Sequence, residues 1–387
     1  MKRYIVENNR PFQRCSCCVM DTTDSKIVFD ENGVCDYCLD FEKNIKPTWH
    51  PSSTLEDCPE LVNLAKKIRK KRKRGQKYDC IIGMSGGADS SYLCYIAKKV
   101  MGLNPLAYVV DTGWNLDVAN HNIKVICNKL GIDTVTDVIN WNEMSDLQIS
   151  FLKSGVPYQD LPQDHAIFAS LYNYAVKHKI KYVFTGANNS TECIRPPIEW
   201  VYQNDIKFIK DVHKKFGKVK LKTFPICGLI KLRFIYTAFK GIKRVAPLNM
   251  IPYDKNTIQS FLEKELGWES YKNKHFEDRF TRWYEGYYLI KKFGYDKRKC
   301  YLSNLILTQE ITRDNALQEL SKEPYDDATR KEDQEYICQK LGITEQEMEN
   351  YISCPNKTFE DYKNSFGLIQ FGTKVLRMLK IEKKYFR

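Results

Sequence analysis

The sequence predicts an α/β fold: a doubly wound parallel sheet, with a small cysteine-rich module ahead of it and a helical region behind. Three observations predict this. Short apolar runs alternate with stretches of helical period through the middle of the chain. One of these runs, "DCIIGM" (79–84), breaks into "SGGADS" (85–90) where a helical pattern begins. Two C-x2-C pairs stand near the N-terminus, and patterns of helical period fill the last third.

The elements follow in order, and three regions are expected: 1–48, 50–245 and 246–387. In the first, Cys15 and Cys18 are separated by sixteen residues from Cys35 and Cys38, with a hairpin-like stretch between. This is the spacing of a ribbon-like Zn²⁺ site with four thiolate ligands. Four thiolates close the coordination shell, so the site is expected to be structural. Cys17 could replace a ligand of the first pair; C-x2-C geometry favours Cys15 and Cys18.

The second region opens with a basic helix, its Leu61, Leu64, Ala65 and Ile68 facing inward. Its run "KKIRKKRKR" (66–74) reads as a solvated face or as a nucleic-acid contact. No aromatic residue interleaves with the charges, which favours the first. "DCIIGM" is then a strand, and "SSYLCYIAKKVMG" a helix burying Leu93, Ala97 and Val100. "NPLAYVVD" is a strand, and "DVANHNIKVICNKLG" a helix burying Ala119, Ile123, Ile126 and Leu130. "DTVTDVI" is a strand, "DHAIFASLYNYAVKHKI" a helix and "KYVFTG" (181–186) a strand. Ligands of such sheets sit at the carboxyl ends of the strands, here Ser85–Ser90, Asp111–Trp114 and Thr185–Glu192. In the third region "TEQE" (344–347) is a capping box, and "EDRFTRWYEGYYLIKKFGYDKRK" is densely aromatic and basic.

Composition narrows the function. A formal net charge of +13 over 387 residues favours acidic or phosphorylated ligands. No apolar run approaches a membrane span, and "MKRYIVENNRPF" is too short and too polar for a signal peptide. A cytoplasmic protein with no membrane partner is expected. The fourteen cysteines are then expected to be reduced.

The glycine turn points to phosphate. Gly86 and Gly87 permit a tight turn that presents N–H groups. Ser85 and Ser90 add hydroxyls, and the following helix brings its positive end. Asp89 would repel a bare anion, so it either meets a bridging Mg²⁺ or has a structural role. The turn is not a Walker A loop, because the terminal Gly-Lys-Ser/Thr is missing.

"SGGADS" resembles the PP-loop of the ATP pyrophosphatases, whose adenine nucleotide α-hydrolase-like fold binds ATP and cleaves it to AMP and pyrophosphate. Within that superfamily the chain is similar to the N-acetyl sugar amidotransferases of surface-polysaccharide and nonulosonic-acid biosynthesis. The matching stretches are "RCSCCVMDTT…FDENGVCDYC", "YDCIIGMSGGADSSYL" and "HFEDRFTRWYEGYYLIKKFGYDKRKCYLSNLILTQEITRDNAL". The resemblance implies conversion of an acetamido group on a nucleotide-linked sugar to an acetamidino group, through an adenylated imidate attacked by ammonia. It implies ATP and Mg²⁺ at Ser85, Gly86, Gly87, Asp89 and Ser90. Asp111 could meet Mg²⁺ or ribose, or be a helix-capping or solvent-facing residue. Gly186 would let backbone approach the nucleotide, and Glu192 would bind metal, sugar or a surface cation. Among Arg279, Arg282, Lys291, Lys292, Lys297 and Arg298, Lys291 and Lys292 are the first candidates for substrate phosphates; His275 is structural or substrate-facing.

An N-terminal-nucleophile glutaminase needs a first Cys, whereas this sequence starts Met1-Lys2, and no cysteine sits in a glycine-flanked elbow. Ammonia is therefore expected from a glutaminase subunit with a cyclase-like subunit, as the family resemblance also implies. A tRNA-thiolating PP-loop enzyme is the rival reading; it would need a cysteine pair near the nucleotide, for which Cys193 and Cys227 are the later candidates. A zinc-ribbon nucleic-acid binder ranks last, since it leaves "SGGADS" without a purpose.

Overall fold

A computed structural model describes residues 10–55, 57–202, 205–271, 277–368 and 370–372. His275 lies outside them.

Five parallel strands form one sheet: β1 (Cys80–Gly83), β2 (Pro105–Asp111), β3 (Asp133–Val138), β4 (Tyr182–Phe184) and β5 (Lys243–Val245), in the order β3-β2-β1-β4-β5. β1 lies in the middle, with Ile82 opposite Ala107 on one side and Phe184 on the other. The three residues of β5 carry too little apolar pattern to be read from sequence, and they close the sheet beyond β4.

Alternate side chains of each central strand enter different cores, as strand geometry requires. Cys80, Ile82, Ala107, Val109 and Phe184 pack on one face with α2 (Pro59–Lys70), α3 (Ala88–Tyr95) and α4 (Asp117–Leu130). Ile81, Leu106, Tyr108, Val110 and Val183 pack on the other with α5 (Trp141–Ser154), α6 (Leu161–Lys177) and α8 (Ile206–Phe216). The sheet is therefore doubly wound, as the alternation predicts. Leu61, Ala65 and Ile68 are buried in α2, and Ala119, Ile123, Ile126 and Leu130 in α4. Val100 is a correction: it is 37% exposed. Over Ile96–Val100 the chain follows a π-helical path, whose wider turn carries Val100 away from the line of Leu93 and Ala97.

A third core joins the first and last parts of the chain. Cys15, Cys18, Cys35 and Cys38 share it with Trp114, Trp200, Phe280, Trp283, Tyr288 and Ile337. The short helices α1 (Asp36–Asp40) and α7 (Asn189–Glu192) border it. The C-terminal region adds α9 (Lys255–Phe261), α10 (Arg279–Trp283), α11 (Leu289–Phe293), α12 (Arg298–Leu307), α13 (Arg313–Leu320), α14 (Asp327–Leu341) and α15 (Glu345–Ser353). Thr344 and Glu347 form the capping box of α15 in both directions. No described helix is long and apolar enough to cross a membrane.

Candidate functional site

The strand order reverses between β1 and β4, and a parallel sheet opens a crevice at the carboxyl end of such a reversal. Both flanking loops carry residues singled out from the sequence. After β1 the chain turns through Ser85, Gly86 and Gly87 into α3. Gly86 has φ +83°, and a Cβ there would lie 2.5 Å from the carbonyl oxygen of Ala119, so only glycine fits. Its carbonyl accepts from the Trp268 indole N–H at 2.8 Å and the Asn122 amide at 3.3 Å. Ser85 and Ser90 knit the turn: the Ser90 hydroxyl donates to the Gly87 carbonyl at 3.1 Å, and the Gly87 N–H donates to Ser85 Oγ at 3.2 Å.

No side chain caps α3. The amides of its first turn, Ala88 to Ser90, have no acceptor within the helix and stand at its positive end, an arrangement suited to phosphate oxygens. Asp89 is the first acidic residue of that turn. Its Oδ1 accepts from the Tyr253 hydroxyl and, at 3.5 Å, from the Asn188 amide. Burial, then the Asp89 charge, pushes the Tyr253 hydroxyl far above its usual pKa, so Tyr253 stays a donor.

Glu277 faces the same turn from the C-terminal region. A Cβ on Gly87 would lie 3.2 Å from Glu277 Oε1 and 3.0 Å from the Tyr271 hydroxyl. The other oxygen, Glu277 Oε2, is buried without a hydrogen-bond partner among the described residues. Burying a carboxylate oxygen unpaired is costly. Two carboxylates beside a phosphate-type turn, one with an orphaned oxygen, are a donor set that suits Mg²⁺. Glu277 is fixed by its backbone: its carbonyl accepts from Leu116 N–H at 2.9 Å, and Arg279 N–H donates to the Trp114 carbonyl at 3.0 Å. The segment leading into α10 is thus laid along the chain that follows β2.

After β4, Gly186 brings backbone against Asp89 rather than into open space; a Cβ there would be 3.1 Å from that of Asp89. Asn188 caps α7 by accepting from Thr191 N–H at 2.9 Å. The loop then borders a cavity of about 700 Å³ lined by Asn188, Glu192, Arg195, Arg244, Lys255, Lys297 and Arg298, with Tyr37 and Asp40 of α1 on its wall. This is the size of a small-molecule pocket. Glu192 is exposed at its edge. Asp111 stands apart, lining a second cavity of about 340 Å³ between β2 and α4. Its Oδ1 accepts from Gly113 N–H at 2.8 Å, a turn-forming contact.

Lys291 and Lys292 stand away from both cavities. Lys292 is 5% exposed, and its ammonium donates to the carbonyls of Ile352 at 2.9 Å and Cys354 at 2.5 Å, at the C-terminal end of α15. Burial lowers its pKa. Lys291 donates to the Tyr287 hydroxyl at 2.5 Å and pairs with Glu349 at 3.2 Å. The sequence "LIKKFG" carried the signal. Gly294, at φ +74°, ends α11, and lysines in a last turn serve backbone carbonyls and local packing. Of the basic candidates, Lys297 and Arg298 reach the large cavity, paired with Glu285 and Asp296. Arg279 and Arg282 are held on the buried carboxylate of Asp333, at 3.6 and 2.6 Å.

The four cysteines of the first region converge. Their sulfurs all lie within 4.8 Å of one another, with Cys15–Cys38 at 3.8 Å and Cys18–Cys35 and Cys35–Cys38 at 3.6 Å. A tetrahedral metal–thiolate centre with bonds of about 2.3 Å has sulfur–sulfur edges of about 3.8 Å, so the cage fits. Backbone N–H groups of Cys17, Cys18 and Cys35 point at Cys15 Sγ at 3.2–3.4 Å, and that of Met20 at Cys18 Sγ at 3.4 Å, donors that favour thiolate. Cys17 is exposed and outside the cluster.

The sequence pattern did not single out Tyr253, Trp268, Tyr271, Glu277 or Asn304, because each acts through a contact distant in sequence. Asn304, 2% exposed, donates to the Thr191 carbonyl at 2.6 Å and accepts from Ile194 N–H at 2.6 Å. It pins the loop after β4 to α12. "ANNSTE" was the one local sign of that loop's polar role.

Comparison with known proteins places these features in context. Over 218 residues the chain is 23% identical to a "tRNA-specific 2-thiouridylase MnmA 2" of Fusobacterium nucleatum, covering 52% of this chain and 60% of that protein. Over 143 residues it is 28% identical to an uncharacterised protein of Methanocaldococcus jannaschii, covering 37% and 47%. The chain thus spans less than two thirds of these curated relatives. Among solved structures, NMN synthetase from Francisella tularensis aligns at 16% identity and TM-score 0.33, over 75% of this chain and 94% of that one. NH3-dependent NAD synthetase from Campylobacter jejuni aligns at 14% and 0.32, over 74% and 97%. At these TM-scores the structural likeness carries no argument. The family described as "LPS biosynthesis protein WbpG-like, C-terminal domain" matches residues 277–376. The chain is therefore similar to WbpG-like proteins of lipopolysaccharide biosynthesis over a region that begins at Glu277, the carboxylate facing the glycine turn.

Proposed function

We propose that the chain is an ATP-dependent amidotransferase that converts an acetamido group of a nucleotide-linked sugar into an acetamidino group, in lipopolysaccharide O-antigen or nonulosonic-acid biosynthesis. The observation that carries this reading is the junction at Glu277. There the region similar to WbpG-like proteins is laid beside a glycine turn suited to phosphate. The 1–48, 50–245 and 246–387 regions then act as zinc module, nucleotide domain and substrate region.

An amide carbonyl is a poor electrophile and its oxygen a poor leaving group. In this reading the amide oxygen attacks the α-phosphorus of ATP and pyrophosphate departs. Ammonia then adds to the imidate carbon, and AMP leaves carrying the former amide oxygen. Gly86, Gly87, Ser85, Ser90 and the first-turn amides of α3 hold the departing phosphates; preorganised donors of this kind stabilise charge as it develops. Asp89 and Glu277 would hold Mg²⁺, which supplies charge neutralisation when bound. The large cavity beside Asn188 is the acceptor site. Zn²⁺ at Cys15, Cys18, Cys35 and Cys38 is structural. A separate glutaminase with a cyclase-like subunit supplies ammonia.

The thiouridylase similarity favours one second reading, tRNA thiolation. Sulfur carriage needs a reactive thiolate. Burial pushes Cys193 up to about 12 and Cys227 up to about 11, which disfavours both as sulfur carriers.

The test incubates purified chain with ATP, Mg²⁺, ammonium and candidate nucleotide sugars. A product lighter by about one dalton, with AMP and pyrophosphate, is expected, because NH replaces the amide oxygen. Glutamine alone should give no product, and the ammonium-driven rate should rise with pH as neutral ammonia accumulates. Asp89→Asn should lower turnover about 100-fold or more with the fold retained. Formation of ADP and orthophosphate, or thiolation of tRNA instead, would refute the proposal.

A further inference from the structure

The end of the sheet opposite the glycine turn has a chemistry of its own. Around the helix that leads into β5 stand Lys231, Arg233, Lys240 and Lys243, and the sequence has no carboxylate side chain between Asp211 and Asp254. Within this stretch Lys231–Phe239 is π-helical. Its i→i+5 repeat aligns Ile230, Phe234, Ile235 and Phe239 along one side. These four are 63%, 69%, 45% and 80% exposed. The other side is seated: Tyr236 is buried, and its hydroxyl donates to Asn173 at 2.5 Å. The apolar line thus projects from an anchored helix.

Topology sets where it projects. The helix runs into β5, and the Lys181 ammonium, just before β4, donates to the Lys240 carbonyl. Phe239 and Lys240 therefore stand at the amino ends of β4 and β5. The exposed basic run that ends α2, Lys66 to Arg74, leads to the amino end of β1 at the same rim. Lys71 and Lys67 lie close enough to Lys243 to lower its pKa. Like charges gathered around exposed phenylalanines are a poor arrangement for water alone.

We infer that this rim docks on an anionic lipid bilayer, with Phe234, Phe239, Ile230 and Ile235 entering the headgroup region and the surrounding Lys and Arg side chains binding lipid phosphate. Basic residues flanking a projecting apolar face are the pattern of an interfacial contact. Charge and placement select this occupant. A second copy would bring two cationic rims together. Nucleic acid would use the charges, but the isoleucines present no ring to stack on bases. The sequence reading expected no membrane partner because no run spans a bilayer; an interfacial contact needs no span. The inference is independent of the proposed reaction.

The test is co-sedimentation of the full chain with phosphatidylcholine vesicles, with and without phosphatidylglycerol. Binding is expected only with the anionic lipid, weakening as salt rises. The double variant Phe234→Glu/Phe239→Glu should lower it at least about tenfold. Both positions are exposed, so an unchanged thermal transition certifies the fold. Lys240→Glu/Lys243→Glu, which leaves the apolar line intact, should weaken binding too. Equal binding to neutral vesicles, no binding, or binding untouched by both variants would overturn the inference. So would a tRNA pool that binds where vesicles do not, or self-association abolished by the phenylalanine variant.

Discussion

At the scale of single residues, the two adjacent lysines of "LIKKFG" show how the same side chain takes different roles. Lys292 satisfies two buried carbonyls, while Lys291 is half exposed beside Glu349. Lys292→Met, close in length but without donors, leaves those carbonyls unpaired and should cost about 1–3 kcal/mol in urea unfolding. Lys291→Ala should stay within about 0.5 kcal/mol. Both should leave ATP affinity unchanged in calorimetry. Asp278 gives a pH signature. Burial raises its carboxyl to about 6, and it caps α10 by accepting from Thr281 N–H. Between the ordinary carboxylate range and about 6, the folded state holds a proton that the unfolded chain has released. Its contribution is therefore present at low pH and lost as pH rises through 6. Asp278→Asn keeps the cap and removes the titration. Unfolding followed from pH 4 to 6 should then lack one component of that decline, at most about 1.4 kcal/mol per pH unit.

At the scale of elements, what was legible in the sequence was what is local. The glycine turn, the periods of α4 and α6, the capping box of α15 and the C-x2-C pairs each announce themselves within a few residues. β5 was missed because three residues, two of them charged, make no pattern. Val100 was misplaced because a π-helical turn does not keep the α-helical period. Glu277 was missed because its role exists only once the start of α10 reaches the turn after β1. α12 joins two of these features. One side meets the cysteine module, through the Ser303 hydroxyl accepting from Val19 N–H and Lys299 paired with Asp21 at 2.7 Å. The other side holds the loop after β4 through Asn304. Asn304→Ala should leave the four-cysteine cluster able to bind metal and raise the KM for the proposed nucleotide-sugar substrate about tenfold or more. Amide exchange over Ser190–Ile194 should accelerate in parallel, a readout that distinguishes positioning from general loss of stability.

At the scale of the whole molecule, the cysteine module is part of the third core rather than an appendage. Metal analysis of protein purified without chelator should give one Zn²⁺ per chain. Stripping it should broaden or abolish the thermal transition of the C-terminal helices, since structural zinc contributes folding free energy directly. Retention of that transition without metal would show that the packing alone suffices. The long reach of this packing also has a consequence in time. Arg313 donates to the carbonyls of Cys15 and Cys18 across separations of 298 and 295 residues. A chain that emerges N-terminus first at roughly 5–20 residues per second keeps the cysteine module waiting about 15 to 60 s for the helices that cover it. During synthesis its four thiols therefore wait for part of their cover, and a metal held by them would shelter them from oxidants until the far end of the chain arrives.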